Sequence, residues 1–287
     1  MLPRFAVYPL IVGGSVALAV AALDRGVPPA AVALGLQALA FVLVMVLERL
    51  LPYRAEWNRS HGDLGTDAAF LVSSSLSFQL GTTLSEVPFL YIHVPGIWPT
   101  AWPVVLQLAL ALVVSELGVY WLHRIQHQGG LLWRIHASHH SSPRLYFLNS
   151  ARAHPLDSFA TAVVAVGPLV ALGADERVLT LVLVFQGAHA FFQHSNVDVL
   201  LGPLNWLLSM AEVHRWHHSR RVEEANANYG QTVLVWDWVF GTRKVPKGEP
   251  PVDTGLTDMP WFPQRFLGQL ASPFRWRAGG EAPSPGT

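Results

Sequence analysis

Long apolar runs separated by short polar or proline-rich links fill the first 122 residues. Phe5 to Leu23 carries no charge, and Asp24-Arg25-Gly26 with Pro28-Pro29 divides it from a second run, about Ala30 to Leu47, that closes on Glu48-Arg49. The polar stretch 51–63 (LPYRAEWNRSHGD) precedes a third run, about Asp67 to Ile92, and the link 93–103 leads to a fourth, about Val104 to Leu122. A helix of about 20 apolar residues crosses a bilayer, so the pattern predicts four transmembrane helices over residues 1–122. The first run exceeds the roughly 7–15-residue core of a signal peptide and is expected to be retained. Ser73, Ser74, Ser75, Ser77 and Gln79 predict that the third helix faces other helices as much as lipid. Trp98 and Trp102 are expected as interfacial anchors.

Beyond the fourth run the pattern changes. Pro155 to Leu172, with a break expected at Gly167-Pro168, turns at Gly173-Ala174-Asp175 and returns as Glu176 to Phe192. That predicts a helical hairpin, spanning or re-entrant, over 155–193. Gly202-Pro203 interrupts the chain again, and Ser219 to Asn228 is a polar loop. From Lys244 onward, Trp261, Phe262, Phe266, Leu267, Leu270, Phe274 and Trp276 alternate with Arg265, Arg275 and Arg277. This C-terminal part, 244–287, reads either as an interfacial segment on the membrane surface or as a helix capping the rest. Residues 278–287 (AGGEAPSPGT) read as disordered.

Composition sharpens the membrane reading. Of 287 residues 51% are hydrophobic and 13% charged, with mean hydropathy +0.33, whereas soluble domains average about 25% charged. Nineteen basic residues balance nineteen acidic ones, and no basic run points to a nucleic acid. The absence of cysteine excludes disulfides, thiolate zinc, iron–sulfur clusters and a cysteine nucleophile. The links 24–29 and 93–103 hold only Arg25, while Arg54, Arg59, Arg124, Arg134, Arg144 and Arg152 lie on the other side. By the positive-inside rule both termini and the region after residue 122 are expected to be cytoplasmic, in a bacterial inner membrane.

The candidate chemistry lies in the histidines. His123–His127, His136–His139–His140, His214–His217–His218 and the looser pair His189–His194 hold ten of the thirteen. Positions i, i+3 and i+4 share a helix face, so each cluster is expected to present its rings together. Imidazole is a common ligand of zinc, iron, copper and nickel, and ten rings exceed one ion's needs but suit two. His189 and His194, five apart, share a face only across a helix end or π-bulge. Glu116 lies seven residues before His123, so Glu116, Tyr120, His123 and His127 form one stripe. A carboxylate there is expected to accept the second ring N–H of a ligating histidine. A haem carrier would need isolated axial pairs on facing helices, and a zinc protease would need HExxH, which the chain lacks. A non-catalytic metal- or haem-binding membrane protein stays as the alternative from another class.

These clusters resemble the histidine boxes of the fatty acid hydroxylase/sterol desaturase superfamily of membrane-bound di-iron oxygenases, over about residues 112–243. Tyr120-Trp121-Leu122-His123-Arg124, His139-His140-Ser141, Arg152-Ala153-His154-Pro155-Leu156-Asp157, Gln193-His194-Ser195-Asn196, Asn228-Tyr229-Gly230, Trp236-Asp237 and Phe240-Gly241-Thr242 are similar to segments of its bacterial members. The resemblance implies an all-α membrane bundle capped by a cytoplasmic histidine-rich di-metal domain, here residues 123–243. It implies two non-haem iron ions, O₂ as co-substrate, and attack on a C–H bond of a lipid of fatty acyl, sterol-like, carotenoid or ornithine-lipid type. A desaturase on the same scaffold is the alternative outcome. It further implies hydrogen-bonding support from Asn149 and Asp237, and either a ligand or an orienting role for His154, which could instead cap the helix ahead of Pro155. No cytochrome-like or flavin segment is recognisable, so a separate electron donor (ferredoxin, cytochrome or reductase) is expected.

Overall fold

The computed structural model describes residues 4–90, 96–246, 248, 250–251, 253–257 and 259–276. Among these residues there is no strand, only isolated antiparallel bridges such as Leu208 with Val233. The helices are α1 (Pro9–Leu23, opening with a π-turn), α2 (Pro29–Leu50), α3 (Leu64–Glu86), α4 (Val104–Gln126), α5 (Gly130–His140), α6 (Pro155–Ala171), α7 (Glu176–Gln193), α8 (Ala211–His217), α9 (Val222–Ala225), α10 (Val235–Val239) and α11 (Phe266–Ala271).

The four expected spans are not equivalent. Among the described residues only α2 and α4 are long and apolar enough to cross a membrane, with mean hydropathies of 2.5 and 1.8. α1 is apolar but shorter. α3 is long, but Asp67, the serines and three threonines dilute it. Two of its serines face a neighbour, as their pattern predicts: Ser74 Oγ donates to the Ala153 carbonyl and Ser77 Oγ to the Pro155 carbonyl, both at 2.6 Å.

Small residues let α6 lie close against α3 on one side and α4 on the other. A Cβ built at Gly81 would stand 2.7 Å from the Phe159 carbonyl oxygen, and one at Gly118 would overlap the Val164 carbonyl. Glycine here serves close backbone approach. The break expected at Gly167-Pro168 does not occur, and α6 continues to Ala171. Pro168 lies in the last turn, where its missing N–H forfeits a single bond, the one to the Val164 carbonyl. The turn after α6 needs Gly173 at φ +86°, pressed against Gly96. α7 packs along α1, α2 and α4, and Val178, Leu181, Val182 and Val184 bury themselves there.

Outside the bundle one expectation changes. Trp98 is buried and donates its indole N–H to Gln107 Oε1 at 2.9 Å, so it seals the end of α4 rather than anchoring in lipid, whereas Trp102 is exposed. The C-terminal part folds as a cap. Met259 and Phe262 pack on Trp133 and Ala137 of α5, and Phe266 meets Phe70 of α3 edge-to-face at 4.9 Å. Leu267 and Phe274 still face outward. Arg277 and residues 278–287 lie outside the described residues.

Candidate metal centre

Four elements deliver histidines to one place. α4 carries His123 in its last turn with His127 as its cap; α5 carries His136, His139 and His140 in its last turns; His194 caps α7; and α8 carries His214 and His217, capped by His218. Nine rings form two groups: His123, His127, His136, His140 and His217 in one, and His139, His194, His214 and His218 in the other. Within each group the ligand atoms lie within 4.8 Å of one another. The groups abut, with His140 stacked on His218 at 4.5 Å between centroids and His139 4.7 Å from His218.

The triplets do not act as units. From α5, His136 and His140 enter the first group and His139 the second; from α8, His214 and His218 enter the second and His217 the first. At 3.6 residues per turn, positions i and i+4 differ by about 40°, but consecutive residues by about 100°. Adjacent histidines therefore point to different centres, and each HxxHH segment straddles both.

The rings are held by their outer nitrogens. His123 Nδ1 donates to the Tyr229 carbonyl at 2.7 Å, His217 Nδ1 to the Ala227 carbonyl at 2.9 Å, and His136 Nδ1 to Asp157 Oδ2 at 2.8 Å. His127 Nδ1 bonds Asn226 Oδ1 at 3.1 Å. A proton on Nδ1 leaves the lone pair on Nε2. In His123, His127, His136, His140 and His217 that Nε2 is buried without a hydrogen-bond partner. Five orphaned acceptors in one spot would be costly for a bare protein; a metal ion resolves all five. In the second group His139 Nδ1 donates to the Arg152 carbonyl and His194 Nδ1 to Asn149 Oδ1, both at 3.2 Å. The Nε2 atoms of His194, His214 and His218 close to 2.9 Å steps. Burial, then neighbouring imidazoles, pushes His136, His140, His194, His214, His217 and His218 well below the ordinary histidine value, and His139 down to about 4. The rings are neutral near pH 7, the form that binds metal.

The supporting residues differ from the sequence expectation. Glu116 does not touch a histidine. Its carboxylate accepts the backbone N–H groups of Gln231 (2.6 Å), Thr232 (2.8 Å) and Val233 (3.2 Å). Asp237 accepts from Tyr229 N and Gly230 N, each at 2.8 Å, and from Thr242 Oγ1. Both acids thus fix the turn whose Tyr229 carbonyl holds His123, one step behind the ring. Asn149 does bond His194, while its amide N–H₂ donates to Ser142 Oγ and the Arg144 carbonyl.

His189 stands outside both groups. Its Nε2 donates to the Ser209 carbonyl and its Nδ1 accepts from Tyr8 Oη at 2.7 Å, so no lone pair is left for a metal. Its angular offset from His194 had no π-bulge in α7 to correct it. His154 also stands outside: Nδ1 accepts from Leu156 N and Nε2 donates to the Leu270 carbonyl, which makes it a helix cap. Sequence reasoning missed Asp157, the carboxylate that does hold a ring. It also missed Asn226 and the carbonyls of Tyr229, Ala227 and Arg152, which carry no side-chain signal.

A fatty acid hydroxylase family profile matches residues 108–242, a stretch containing all nine histidines. An ornithine lipid hydroxylase of Rhizobium tropici is 34% identical over 242 residues, covering 81% of this chain and 72% of that protein. The chain belongs to the fatty acid hydroxylase family. As a member it is an oxidoreductase of the lipid-hydroxylase class. Human alkylglycerol monooxygenase is 34% identical over 127 residues, 44% of this chain but 28% of that protein. A methylsterol monooxygenase of Arabidopsis thaliana is 32% identical over 147 residues, 48% of this chain and 52% of that protein. The chain thus spans about a quarter to a half of the length of these two relatives. No solved structure matches.

Proposed function

We propose that the protein is a membrane-bound two-iron hydroxylase that uses O₂ and external electrons to place one oxygen atom on a C–H bond of a membrane lipid. The observation that carries this reading is the pair of converging imidazole groups, the first with five buried Nε2 atoms that have no hydrogen-bond partner. Five nitrogens exceed the four of a tetrahedral structural zinc site and suit iron, which accepts imidazole well. His123, His127, His136, His140 and His217 would hold one iron; His139, His194, His214 and His218 would hold the other. When bound, the irons supply the O₂ activation that an unactivated C–H bond requires.

The chain's own residues prepare the site. Carbonyls and carboxylate keep the ring protons on Nδ1, which fixes tautomer and orientation and raises ligand basicity. Burial of the rings excludes water, which protects reactive species from side reactions. The length of the match to the ornithine lipid hydroxylase favours an acyl lipid with a polar head over a sterol. α2 and α4, with α1 and α3 beside them, would form the membrane part, with the histidines at its cytoplasmic end and both termini inside. A separate carrier would deliver the electrons.

The test is comparative lipid mass spectrometry of cells expressing wild type or His217→Ala with a compatible reductase. Wild type alone should yield a lipid heavier by one oxygen atom. A lipid lighter by two hydrogens would mean desaturation, and no new lipid with either protein would overturn the assignment.

A further inference from the structure

α10 lies along α4, the more buried of the two helices fit to cross a membrane. Trp236 Nε1 donates to the Val113 carbonyl at 2.9 Å, while Phe240 stacks on Tyr120 at 5.3 Å and meets Trp121 at 4.9 Å. From Val113 to Trp121 is eight residues, about 12 Å of helix axis. A spanning α4 therefore carries this short helix down to bilayer depth, in the half next to the histidines. We infer that residues 202–209 and 230–240 form a re-entrant element whose outer face contacts the acyl chains of the bilayer. The inference rests on the reading of α4 as a span.

Two further observations carry it. Non-helical backbone at membrane depth survives only where its polar groups are satisfied by protein, and here they are. Glu116 takes the N–H groups of residues 231–233. Ser209 N donates to the Thr232 carbonyl and Leu234 N to the Leu207 carbonyl. Gln193 Nε2 donates to the carbonyls of Gln231 and Ser209. A solvent-facing loop could leave such groups to water; a fully buried carboxylate spent on three backbone N–H groups belongs where water is absent. The outward face is the second observation. Trp206 (57% exposed), Leu207 (62%), Trp238 (45%) and Val239 (62%) form an apolar surface with Leu204. Trp206 and Trp238 stack at 5.0 Å, and the Arg243 guanidinium lies 4.7 and 4.6 Å from their ring centroids. Arg124 lies over Trp121 in the same way at 5.3 Å. Tryptophan paired with arginine is characteristic of the boundary between acyl chains and headgroups. The occupant that fits is lipid: the patch is continuous with the exposed side of α4. Glu116 thus acts as a positioning residue for a membrane-dipping segment that begins beside Tyr229, the residue holding His123.

The chain has no cysteine, so single nitroxide labels can be placed after Leu207→Cys and Val239→Cys. Leu106→Cys on the exposed side of α4 reports the span, and Arg220→Cys the polar loop. Each protein is reconstituted in phosphatidylethanolamine/phosphatidylglycerol vesicles, and collision with O₂ is compared with collision with a water-soluble nickel chelate. Labels at 207 and 239 should match the one at 106, favouring O₂ several-fold, with the reverse at 220. If 106 favours O₂ while 207 and 239 favour nickel, the re-entrant element is wrong and the span stands. If 106 also favours nickel, both readings fall. Spin–spin broadening at 207 and 239 with shielding from both reagents would assign the face to a second copy and overturn the inference.

Discussion

Replacing Asp157 by asparagine isolates the one carboxylate that, among the described residues, touches a candidate ligand. Its Oδ2 accepts from His136 Nδ1 at 2.8 Å and its Oδ1 from Gln126 Nε2 at 2.6 Å, and both partners are buried. Asparagine keeps the shape but has one acceptor oxygen, so one bond is lost or reversed and the survivor is neutral. Charged hydrogen bonds contribute about 1.5–3 kcal/mol and neutral ones about 0.5–1.5. The difference, about 1–2 kcal/mol, corresponds to roughly five- to thirtyfold in metal affinity, overlapping the range of about 10–100-fold typical of groups behind metal ligands. The assay is anaerobic ferrous-iron binding against a graded chelator, reading stoichiometry as well as affinity. Of the two irons proposed, one should weaken by that factor while the other, held by the group without His136, keeps its affinity. Asp157→Asn at wild-type affinity for both, with His136→Ala weakened, would refute the claim that Asp157 tunes this ring.

Other substitutions probe the scaffold. Gly118→Ala forces a methyl group into the Val164 carbonyl on α6, so it should cost about 1–3 kcal/mol and lower the thermal midpoint in detergent; an unchanged midpoint would show that α4 and α6 can part freely. Glu116→Gln removes one of two acceptor oxygens beneath Gln231–Val233, at about 1–3 kcal/mol for an unpaired buried N–H. Its iron content should fall although it touches no histidine, and full iron loading with wild-type stability would contradict the positioning role. Asp63 tests a pH dependence. Burial alone would raise its carboxyl, but the Arg144 guanidinium, bonded at 2.7 and 2.8 Å, outweighs this and holds it below the usual value. A depressed folded value gives stability that is complete above the unfolded value of about 3.9 and is lost as pH falls through the folded one. The midpoint gap between wild type and Asp63→Asn should therefore be constant near neutrality and close below about pH 4; a gap that persists in acid would refute it.

The histidine spacing made the centre legible because nitrogen donors on helix ends leave a periodic trace. Which ring serves which group was not legible. The shared-face argument treats His139 and His140 as neighbours, whereas one step around a helix turns a side chain far enough to reach a second centre. Periodicity also placed Glu116 on the right stripe, yet only the fold brings the 231–233 backbone to it. His189 looked like a ligand because it is a histidine near others; Tyr8, about 180 positions away, claims its lone pair. Asp157 left no trace because its partner lies 21 residues off on another helix. Apolar runs showed the bundle, but they could not tell α2, apolar and largely exposed along its length, from α3, where Ser74 and Ser77 are spent on the carbonyls of Ala153 and Pro155.

Iron quantitation with Mössbauer spectroscopy on protein purified from iron-replete cells addresses the two-group centre most directly. The account predicts two irons per chain in nitrogen-rich environments, and His140→Ala and His218→Ala should each disturb a different one. A single iron, a haem signature, or iron that survives loss of both rings would contradict it.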